Sequence, residues 1–362
     1  MRICRWAFTC AVGLVAGVMI VNNNLSAEIT ENAAQSEHFY EGTFHNAKHH
    51  EQPGLMKTLG ILTRYLTEKR VDVSPSSAVP VQALSAEQLD ALSTDAVHVV
   101  KLGHSSILLK VKREYWLLDP VFSERASPFS FLGPKRFHPT PISIDALPPI
   151  DKVLISHNHY DHLDKAAIQQ LAAKTSQFLV PLGVEGDLKD WGVDEAKILT
   201  FGWWQEHQSR DAMIAFTPTQ HFSGRGLTDA NQTLWGSWVI KTDDTSLYFS
   251  GDSGYFDGFK TIGHRYGPFD LTMIETGAYD QDWASVHMTP EESAQAHLDL
   301  QGNTMMPIHN GTFDLAFHAW YEPLERIRAV SKERGITLTT PVFGQPMTLT
   351  QLPVTTAWWR EI

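Results

Sequence analysis

The sequence predicts a layered body of β-sheets with helices on their outer faces, of the α/β or α+β class. Two observations indicate this. Short apolar runs of strand length come in two batches, one beginning at Val97 and the other at Met213, and turn residues bound each run. Segments with helical periodicity and capping residues lie between these runs. Strands and helices interspersed in this way form sheets that helices cover.

The strands are predicted where a short apolar run has turn residues on both sides. The first batch comprises Val97–Lys101, Ser106–Lys112, Tyr115–Asp119, Lys152–Ser156 and Gln177–Val180. The second batch comprises Met213–Thr217, Trp235–Lys241, Ser246–Ser250, Leu271–Ile274 and Thr304–Ile308.

Three helices have recognisable ends in the sequence. They are predicted at Lys165–Lys174, Pro290–Leu300 and Glu322–Arg334. Asp164 is a good N-cap for the first, and Thr289 with Glu292 forms a capping box for the second. Gly335 ends the third.

The first 27 residues, 1–27, do not belong to the predicted body. Arg2 and Arg5 precede a charge-free run from Trp6 to Val21, and the small residue Ala27 stands at a suitable cleavage position. This pattern is typical of a secretory signal peptide, with an uncleaved N-terminal membrane anchor as the alternative. Either interpretation predicts an exported protein, in the periplasm or associated with the envelope.

Composition excludes two classes of protein. The formal net charge of −12 argues against nucleic acid as a partner, because nucleic-acid binders present a basic face. The two cysteines, Cys4 and Cys10, both lie in the predicted signal, so neither a disulfide framework nor a cysteine-rich zinc module is expected.

Residues 28–93 are predicted to be an extension that packs on the main domain, residues 94–362. Leucines at positions 55, 59, 62 and 66 have nearly helical spacing, which predicts a helix within 54–70. A shorter helix, Ala86–Leu92, follows the capping residues Ser85 and Gln88. Such short pieces cannot fold alone, and we expect them to pack onto the larger body.

The chemistry concentrates directly after the predicted strand Lys152–Ser156. His157, His159, Asp161 and His162 lie within six positions, and imidazole and carboxylate groups suit zinc and similar divalent metals. These four groups cannot complete two sites. Further candidates stand at the ends of later strands, and these are His221, Asp252 and His309.

These residues, in this order, resemble the metal-ligand pattern of the metallo-β-lactamase superfamily. The resemblance spans about Val97 to Gly344. Its flanking stretches are more similar to the branch that contains N-acyl-phosphatidylethanolamine-hydrolysing phospholipase D and its bacterial relatives. They include Leu102-Gly-His-Ser-Ser, Leu118-Asp-Pro-Val-Phe-Ser-Glu-Arg-Ala-Ser-Pro, Gly133-Pro-Lys-Arg-Phe and Ile308-His-Asn-Gly-Thr-Phe.

The resemblance implies a four-layer αββα sandwich with two metal ions at the rim between its sheets. One ion would be held by His157, His159 and His221, the second by Asp161, His162 and His309, with Asp252 bridging both. Zinc is the expected metal, with manganese and iron as alternatives.

Five further residues are candidates for catalysis or substrate binding. Asp119 ends a strand and is expected to orient a ligand imidazole, and His287 is expected to donate a proton or bind substrate. His104, Trp203 and Trp204 are expected to contact the substrate, the tryptophans as an apolar wall.

Three functions are open at this point. The first is a binuclear zinc phosphodiesterase acting on phospholipid-like substrates, in which two cations lower the pKa of a shared water and so supply a hydroxide nucleophile. The second is a lactonase or esterase on the same scaffold. The third is a non-enzymatic metal-storing or envelope-binding protein. The first is preferred, with a small molecule or lipid as substrate and peripheral contact with a membrane.

Overall fold

The computed structural model describes residues 36–48, 55–352 and 356–362. The predicted signal or anchor, residues 1–27, lies outside the described residues. Across the part of the chain that is described, no helix has both the length and the hydropathy to cross a bilayer.

Two seven-stranded sheets form the centre of the molecule. The strands preceding them are β1 (Phe39–Tyr40) and β2 (Thr43–Phe44), which pair with each other. The first sheet contains β3 (His98–Lys101), β4 (Ile107–Val111), β5 (Glu114–Leu118), β6 (Ile150–Leu154), β7 (Thr175–Pro181), β8 (Ile198–Phe201) and β16 (Pro346–Thr348). The second contains β9 (Glu206–Gln208), β10 (Met213–Thr217), β11 (Ser237–Lys241), β12 (Ser246–Phe249), β13 (Phe269–Glu275), β14 (Gly302–Ile308) and β15 (Thr337–Leu338).

The two sheets have matching topologies. The first has the order β16-β3-β4-β5-β6-β7-β8, and the second β15-β14-β13-β12-β11-β10-β9. In each sheet four strands pair in parallel, namely β5 to β8 and β12 to β15, and the other strand pairs are antiparallel.

The seven α-helices of the described chain are α1 (Leu55–Thr67), α2 (Ala86–Asp90), α3 (Lys165–Leu171), α4 (Val184–Asp190), α5 (Gly258–Tyr266), α6 (Pro290–Asp299) and α7 (Glu322–Arg334). Asp164 caps α3 through the backbone N–H groups of Ala166 and Ala167, and the capping box of α6 forms as predicted. These local signals begin two helices at the positions that the sequence indicates.

The packing produces four layers. Side chains from the facing sides of both sheets, such as Leu109 and Trp116 on the first and Trp238 and Phe249 on the second, form one buried core. Alternate residues on the same strands point the other way, because side chains alternate along a strand. Those of the first sheet pack against α3 and α4, and those of the second against α5, α6 and α7. The αββα sandwich is therefore confirmed.

The helix predicted within residues 54–70 forms as α1 and contacts the main domain. Its Leu59 is 47% exposed and its Leu66 is 76% exposed. Arg64 and Tyr65 attach the helix. The ring of Tyr65 packs edge-on against that of Phe317, with centroids 5.7 Å apart. Nη1 of Arg64 lies 2.6 Å from Oδ1 of Asp280 and 2.8 Å from Oδ2 of Asp282. The outer apolar face of α1 is consequently left at the surface.

The carboxyl ends of the parallel strands determine where the site lies. Asp119 follows β5, His157 comes shortly after β6, and His309 follows β14. Ligand sites of α/β proteins form at this edge, since loops that follow adjacent parallel strands converge there. The topology therefore brings together residues that are up to about 190 positions apart in sequence.

Candidate metal centre

All seven predicted metal ligands converge at the carboxyl edge of the two sheets. The first set comprises His157, His159, His221 and Asp252, whose donor atoms all lie within 4.8 Å of one another. Nδ1 of His159 lies 2.9 Å from Nε2 of His157 and 3.2 Å from Nε2 of His221. Nitrogen donors this close around one carboxylate form a set that suits a divalent transition metal.

The second set comprises Asp161, His162 and His309, and Asp252 lies between it and the first set. Nε2 of His309 lies 3.2 Å from Oδ2 of Asp161 and 3.0 Å from Oδ2 of Asp252. The other oxygen of Asp252, Oδ1, lies 3.1 Å from Nε2 of His162. One carboxylate thus contacts donors of both sets.

Unpartnered polar atoms show that these donors fit metal ions. Nε2 of His162 and Oδ1 of Asp252 are fully buried, and although they lie 3.1 Å apart, neither makes a hydrogen bond to any described residue. Leaving buried polar atoms unpaired costs about 1–3 kcal/mol each. A divalent ion held by the second set and Asp252 would satisfy both atoms, so the residues present fit a metal.

The two sets have opposite electrostatics in the absence of metal. In the first set, burial lowers the pKa values of His157 and His221 well below the ordinary value of a histidine. It lowers the pKa of His159 to about 4. Burial also acts on His162 and His309, but nearby carboxylates, chiefly Asp252, outweigh it. They raise the pKa of His162 well above its ordinary value and that of His309 to about 10.

Neighbouring groups hold the ligand imidazoles in place. Oδ2 of Asp119 lies 2.7 Å from Nδ1 of His162, and both residues are fully buried. Nδ1 of His221 lies 3.0 Å from the carbonyl oxygen of Val286. In both histidines the neighbouring oxygen holds a proton on Nδ1, which leaves Nε2 as the nitrogen that faces the metal centre.

His287 lies beside the ligands, on the loop that precedes α6. Glu275 orients its ring, because Nδ1 of His287 contacts Oε1 of Glu275. Glu275 ends β13, is fully buried, and accepts a hydrogen bond from the backbone N–H of Ser253 at 2.6 Å. His287 therefore belongs to a histidine–glutamate pair at the edge of the metal centre.

Glu275 is a residue that the sequence analysis missed. A signal for it exists, since it is a charged residue that directly follows the apolar pair Met273-Ile274 at the carboxyl end of a strand, much as Asp119 follows Leu117-Leu118. Arg225 was missed as well. Its Nη1 donates hydrogen bonds to the carbonyl oxygens of Asn158 at 2.6 Å and Leu163 at 2.7 Å, which ties the His221 loop to the loop that carries the first histidines.

The structure places three predicted substrate contacts elsewhere. His104 lies beside the second donor set, with its Nε2 3.3 Å from Oδ2 of Asp161 and its ring centroid 3.9 Å from that of His309, and it does not line the cavity described below. Trp203 packs in the core between the sheets and donates a hydrogen bond to the carbonyl oxygen of Trp235. Trp204 packs against the sheet cores, and the guanidinium of Arg265 lies over its ring. Both tryptophans stabilise the fold rather than line the cavity.

A cavity of about 310 Å³ opens onto the metal centre. Its floor includes side chains from both donor sets and His287. The walls are largely apolar and include Ile61, Phe222, Trp283, Val286 and Leu315. Two charged residues, Lys57 of α1 and Asp282, also line it. The site can therefore accept a molecule with an apolar part beside a polar group that reaches the metals.

Comparison with known proteins relates the chain to one family. The sequence model described as "Beta-lactamase superfamily domain" matches residues 115–310. An uncharacterized protein of Mycobacterium tuberculosis is 38% identical over 344 residues, covering 92% of this chain and 90% of the relative. The N-acyl-phosphatidylethanolamine-hydrolyzing phospholipase D 1 of Caenorhabditis elegans is 32% identical, covering 78% of this chain and 83% of the relative.

A solved structure supports the fold. Igni18, a metallo hydrolase of the archaeon Ignicoccus hospitalis, has a TM-score of 0.54 to this chain at 20% sequence identity. The match covers 70% of this chain and 98% of that one. The αββα arrangement is thus shared with a known metal-dependent hydrolase.

Proposed function

The chain belongs to the metallo-β-lactamase superfamily and is a metal-dependent hydrolase, and we propose that it is a binuclear zinc phosphodiesterase. Its substrates are phospholipid-like molecules of the N-acyl-phosphatidylethanolamine type. One observation carries the proposal above all. An apolar-walled cavity opens directly onto two adjoining donor sets that share Asp252. This combination suits a molecule with hydrocarbon chains next to the bond that is cleaved.

The donor sets support phosphodiester chemistry. Divalent ions held by these residues would lower the pKa of a bound water and would offset the negative charge that develops in a displacement at phosphorus. Lys57 lies at the cavity, where its positive charge favours an anionic substrate, while the negative charge of Asp282 is paired with Arg64 at 2.8 Å. The similarity to a phospholipase D of Caenorhabditis elegans supports the same substrate class.

The chain's own residues have separable tasks in this proposal. Asp252 holds the two donor sets together, and Asp119 orients His162. His287, oriented by Glu275, lies within 4.8 Å of donor atoms of Asp252 and His309 and is placed to pass a proton to the leaving oxygen. The apolar walls hold the hydrocarbon part of the substrate and exclude water from the floor.

Steady-state kinetics on matched substrates test the proposal. The zinc-loaded enzyme is expected to hydrolyse an N-acyl-phosphatidylethanolamine and a chromogenic phosphodiester faster than a lactone, a carboxyl ester or a β-lactam. Asp252→Ala serves as the inactive control for contaminating hydrolases. Clear lactone or ester hydrolysis beside no phosphodiester hydrolysis would overturn the proposal and favour the lactonase or esterase alternative.

We also propose that the protein is exported and contacts a membrane peripherally. Besides the signal-like pattern of residues 1–27, support comes from α1, which carries the exposed apolar residues Met56, Leu59 and Leu66 next to the cavity-lining Lys57 and Ile61. An apolar helix face beside a lipid-sized cavity fits the surface of a bilayer.

N-terminal sequencing of protein recovered from fractionated cells tests export. A mature terminus near Glu28 in the envelope or periplasmic fraction is expected. Met1 on membrane-bound protein would identify the uncleaved anchor, and Met1 on cytosolic protein would refute export.

A further inference from the structure

The segment of residues 36–48, here called the N-terminal strap, crosses the edge of the sandwich beside the metal centre. Phe44 is fully buried in the core between the sheets and packs edge-on against Phe39, with ring centroids 4.8 Å apart. The backbone N–H of Phe44 donates to the carbonyl oxygen of Asn231 at 2.8 Å. The strap is therefore firmly attached two residues before it reaches the site.

Asn46 of the strap contacts the backbone of a predicted metal ligand on both sides. Its Nδ2 donates to the carbonyl oxygen of His221 at 2.7 Å, and its Oδ1 accepts from the backbone N–H of His221 at 3.1 Å. The same Oδ1 accepts from Nε1 of Trp235 at 3.0 Å. The side-chain amide of Asn46 thus pairs with the backbone of His221 as a neighbouring strand would.

A second contact ties the same loop to the strap. Nε2 of Gln220 donates to the carbonyl oxygen of Lys48 at 3.1 Å. Two consecutive residues of the loop, Gln220 and His221, are therefore held by the strap through three hydrogen bonds. No other segment among the described residues makes a side-chain hydrogen bond to the backbone of His221.

We infer that Asn46 is a positioning residue for His221 and that the strap is a part of the metal centre. Hydrogen bonds now fix His221 at both ends: Asn46 holds its backbone, and the carbonyl oxygen of Val286 holds its Nδ1. With both ends fixed, Nε2 of His221 can point only toward His159 and Asp252. The inference rests on the proposed function only in that His221 binds a metal.

The chemistry of asparagine explains why this residue stands here. A carboxamide offers a donor and an acceptor in one plane, spaced to pair with the N–H and C=O of a single residue. Aspartate keeps the acceptor but places a negative oxygen against the carbonyl of His221. Alanine removes the three hydrogen bonds of the Asn46 side chain, of which two are to the backbone of His221 and one is to Nε1 of Trp235.

Three variants separate positioning from stability. Asn46→Ala removes every contact of the side chain, and Asn46→Asp keeps the two bonds that Oδ1 accepts. Phe44→Leu is the matched control, because it weakens the attachment of the strap while Asn46 stays intact. For each variant we would measure metal content after dialysis against graded chelator, the melting temperature of the metal-free protein, and kcat and KM.

The expected result is selective. Asn46→Ala should bind one of its two ions 10–100-fold more weakly than the wild type and lose kcat to a similar extent, which is the usual effect of losing a group that orients a ligand. The metal affinity and kcat of Asn46→Asp should lie between those of the wild type and of Asn46→Ala. Phe44→Leu should lower the melting temperature without this loss of metal affinity.

Two outcomes contradict the inference. The first is an Asn46→Ala variant with the metal affinity and kcat of the wild type. The second is an equal loss of metal in Asn46→Ala and Phe44→Leu when both variants have the same melting temperature. Either outcome would show that Asn46 only attaches the strap. Failure of the proposed function has a different signature, because the metal-loaded wild-type protein would then hydrolyse no phosphodiester, while a loss of metal affinity in Asn46→Ala would still be measurable.

Discussion

Oδ2 of Asp119 lies 2.7 Å from Nδ1 of His162, and neither residue is exposed to solvent. The same carboxylate accepts hydrogen bonds from the backbone N–H of Ser156 at 2.7 Å and from its hydroxyl at 2.5 Å. Asp119 therefore connects the end of β5 to the loop after β6. It keeps the proton of His162 on Nδ1, so Nε2 faces Asp252.

Asp119→Asn should weaken the second metal site. The asparagine amide can donate to Nδ1 and so favour the wrong tautomer of His162, in which Nε2 carries the proton. We expect a 10–100-fold loss of metal affinity or activity. Ser106→Ala is the control, because its hydroxyl donates to the backbone carbonyl oxygen of Asp119 at 2.7 Å, and its loss leaves the contact between Asp119 and His162 in place. Equal metal content and turnover in Asp119→Asn and the wild type would rule out the orienting role.

Metal loading should depend on pH differently at the two sets. The imidazoles of the first set are neutral at pH 7 because burial lowers their pKa, whereas His162 and His309 bind protons that a metal must displace. As the pH falls from 8 to 5, the ion of the second set should be lost first. Metal analysis after equilibrium dialysis at a series of pH values checks this, and simultaneous loss of both ions would contradict it.

The stability of the metal-free protein should pass through a maximum near neutral pH. The pKa of His309 is raised from 6.5 to about 10, so its contribution is complete below pH 6.5 and is lost as the pH rises toward 10. The pKa of His159 is lowered to about 4, so the unfolded chain binds more protons between pH 4 and 6.5, and stability falls as the pH falls through that range. Melting temperatures of chelator-treated protein from pH 4 to 10 test both limbs. A flat profile would show that neither histidine is coupled to folding.

The sequence predicted the parts of the fold that have strong local signals. Strand β10 and helix α7 have the predicted bounds, because an apolar run with turns and a helix ended by glycine are both local patterns. Strands β9 and β16 were missed, since each has only three residues and owes its conformation to its neighbours in the sheet. The leucine spacing predicted a helix within residues 54–70, and α1 forms there, but periodicity alone does not tell which of its side chains contact the main domain.

The residues of the candidate site also differ in whether a local sequence pattern reveals them. The cluster from His157 to His162 is visible because its ligands are neighbours in the sequence. Asn46 is about 175 residues from His221, in a stretch with no distinctive pattern, so only the folded chain brings it to the ligand. The pair Trp203 and Trp204 misled because two adjacent tryptophans have the same sequence signal in a core as in a pocket wall.

Glu275→Gln should slow turnover while leaving metal content unchanged. Glu275 contacts His287 and no predicted metal ligand by hydrogen bond, so it orients the imidazole that we propose as the proton donor. General acid catalysis typically contributes about 10²–10⁴-fold, so we expect kcat to fall by a part of that range. Glu185→Gln is the matched control, because Glu185 is also a buried carboxylate but lies on α4. A change in metal content instead of kcat would assign Glu275 a purely structural task.

Shortening the hydrocarbon part of the substrate should raise KM, because less apolar surface is then buried against the cavity wall. Burial contributes about 0.8 kcal/mol per methylene group, which corresponds to up to roughly fourfold in KM for each one removed. Trp283→Ala removes the largest side chain of the wall, and the variant should therefore show a weaker dependence of KM on chain length. Its turnover of a small chromogenic phosphodiester should stay close to that of the wild type, since Trp283 is not among the predicted metal ligands.

Leu298→Ala is the control, because Leu298 is an exposed apolar residue on α6 that does not line the cavity. An unchanged chain-length series in Trp283→Ala would place the hydrocarbon chains outside this cavity and remove the main support for a lipid substrate.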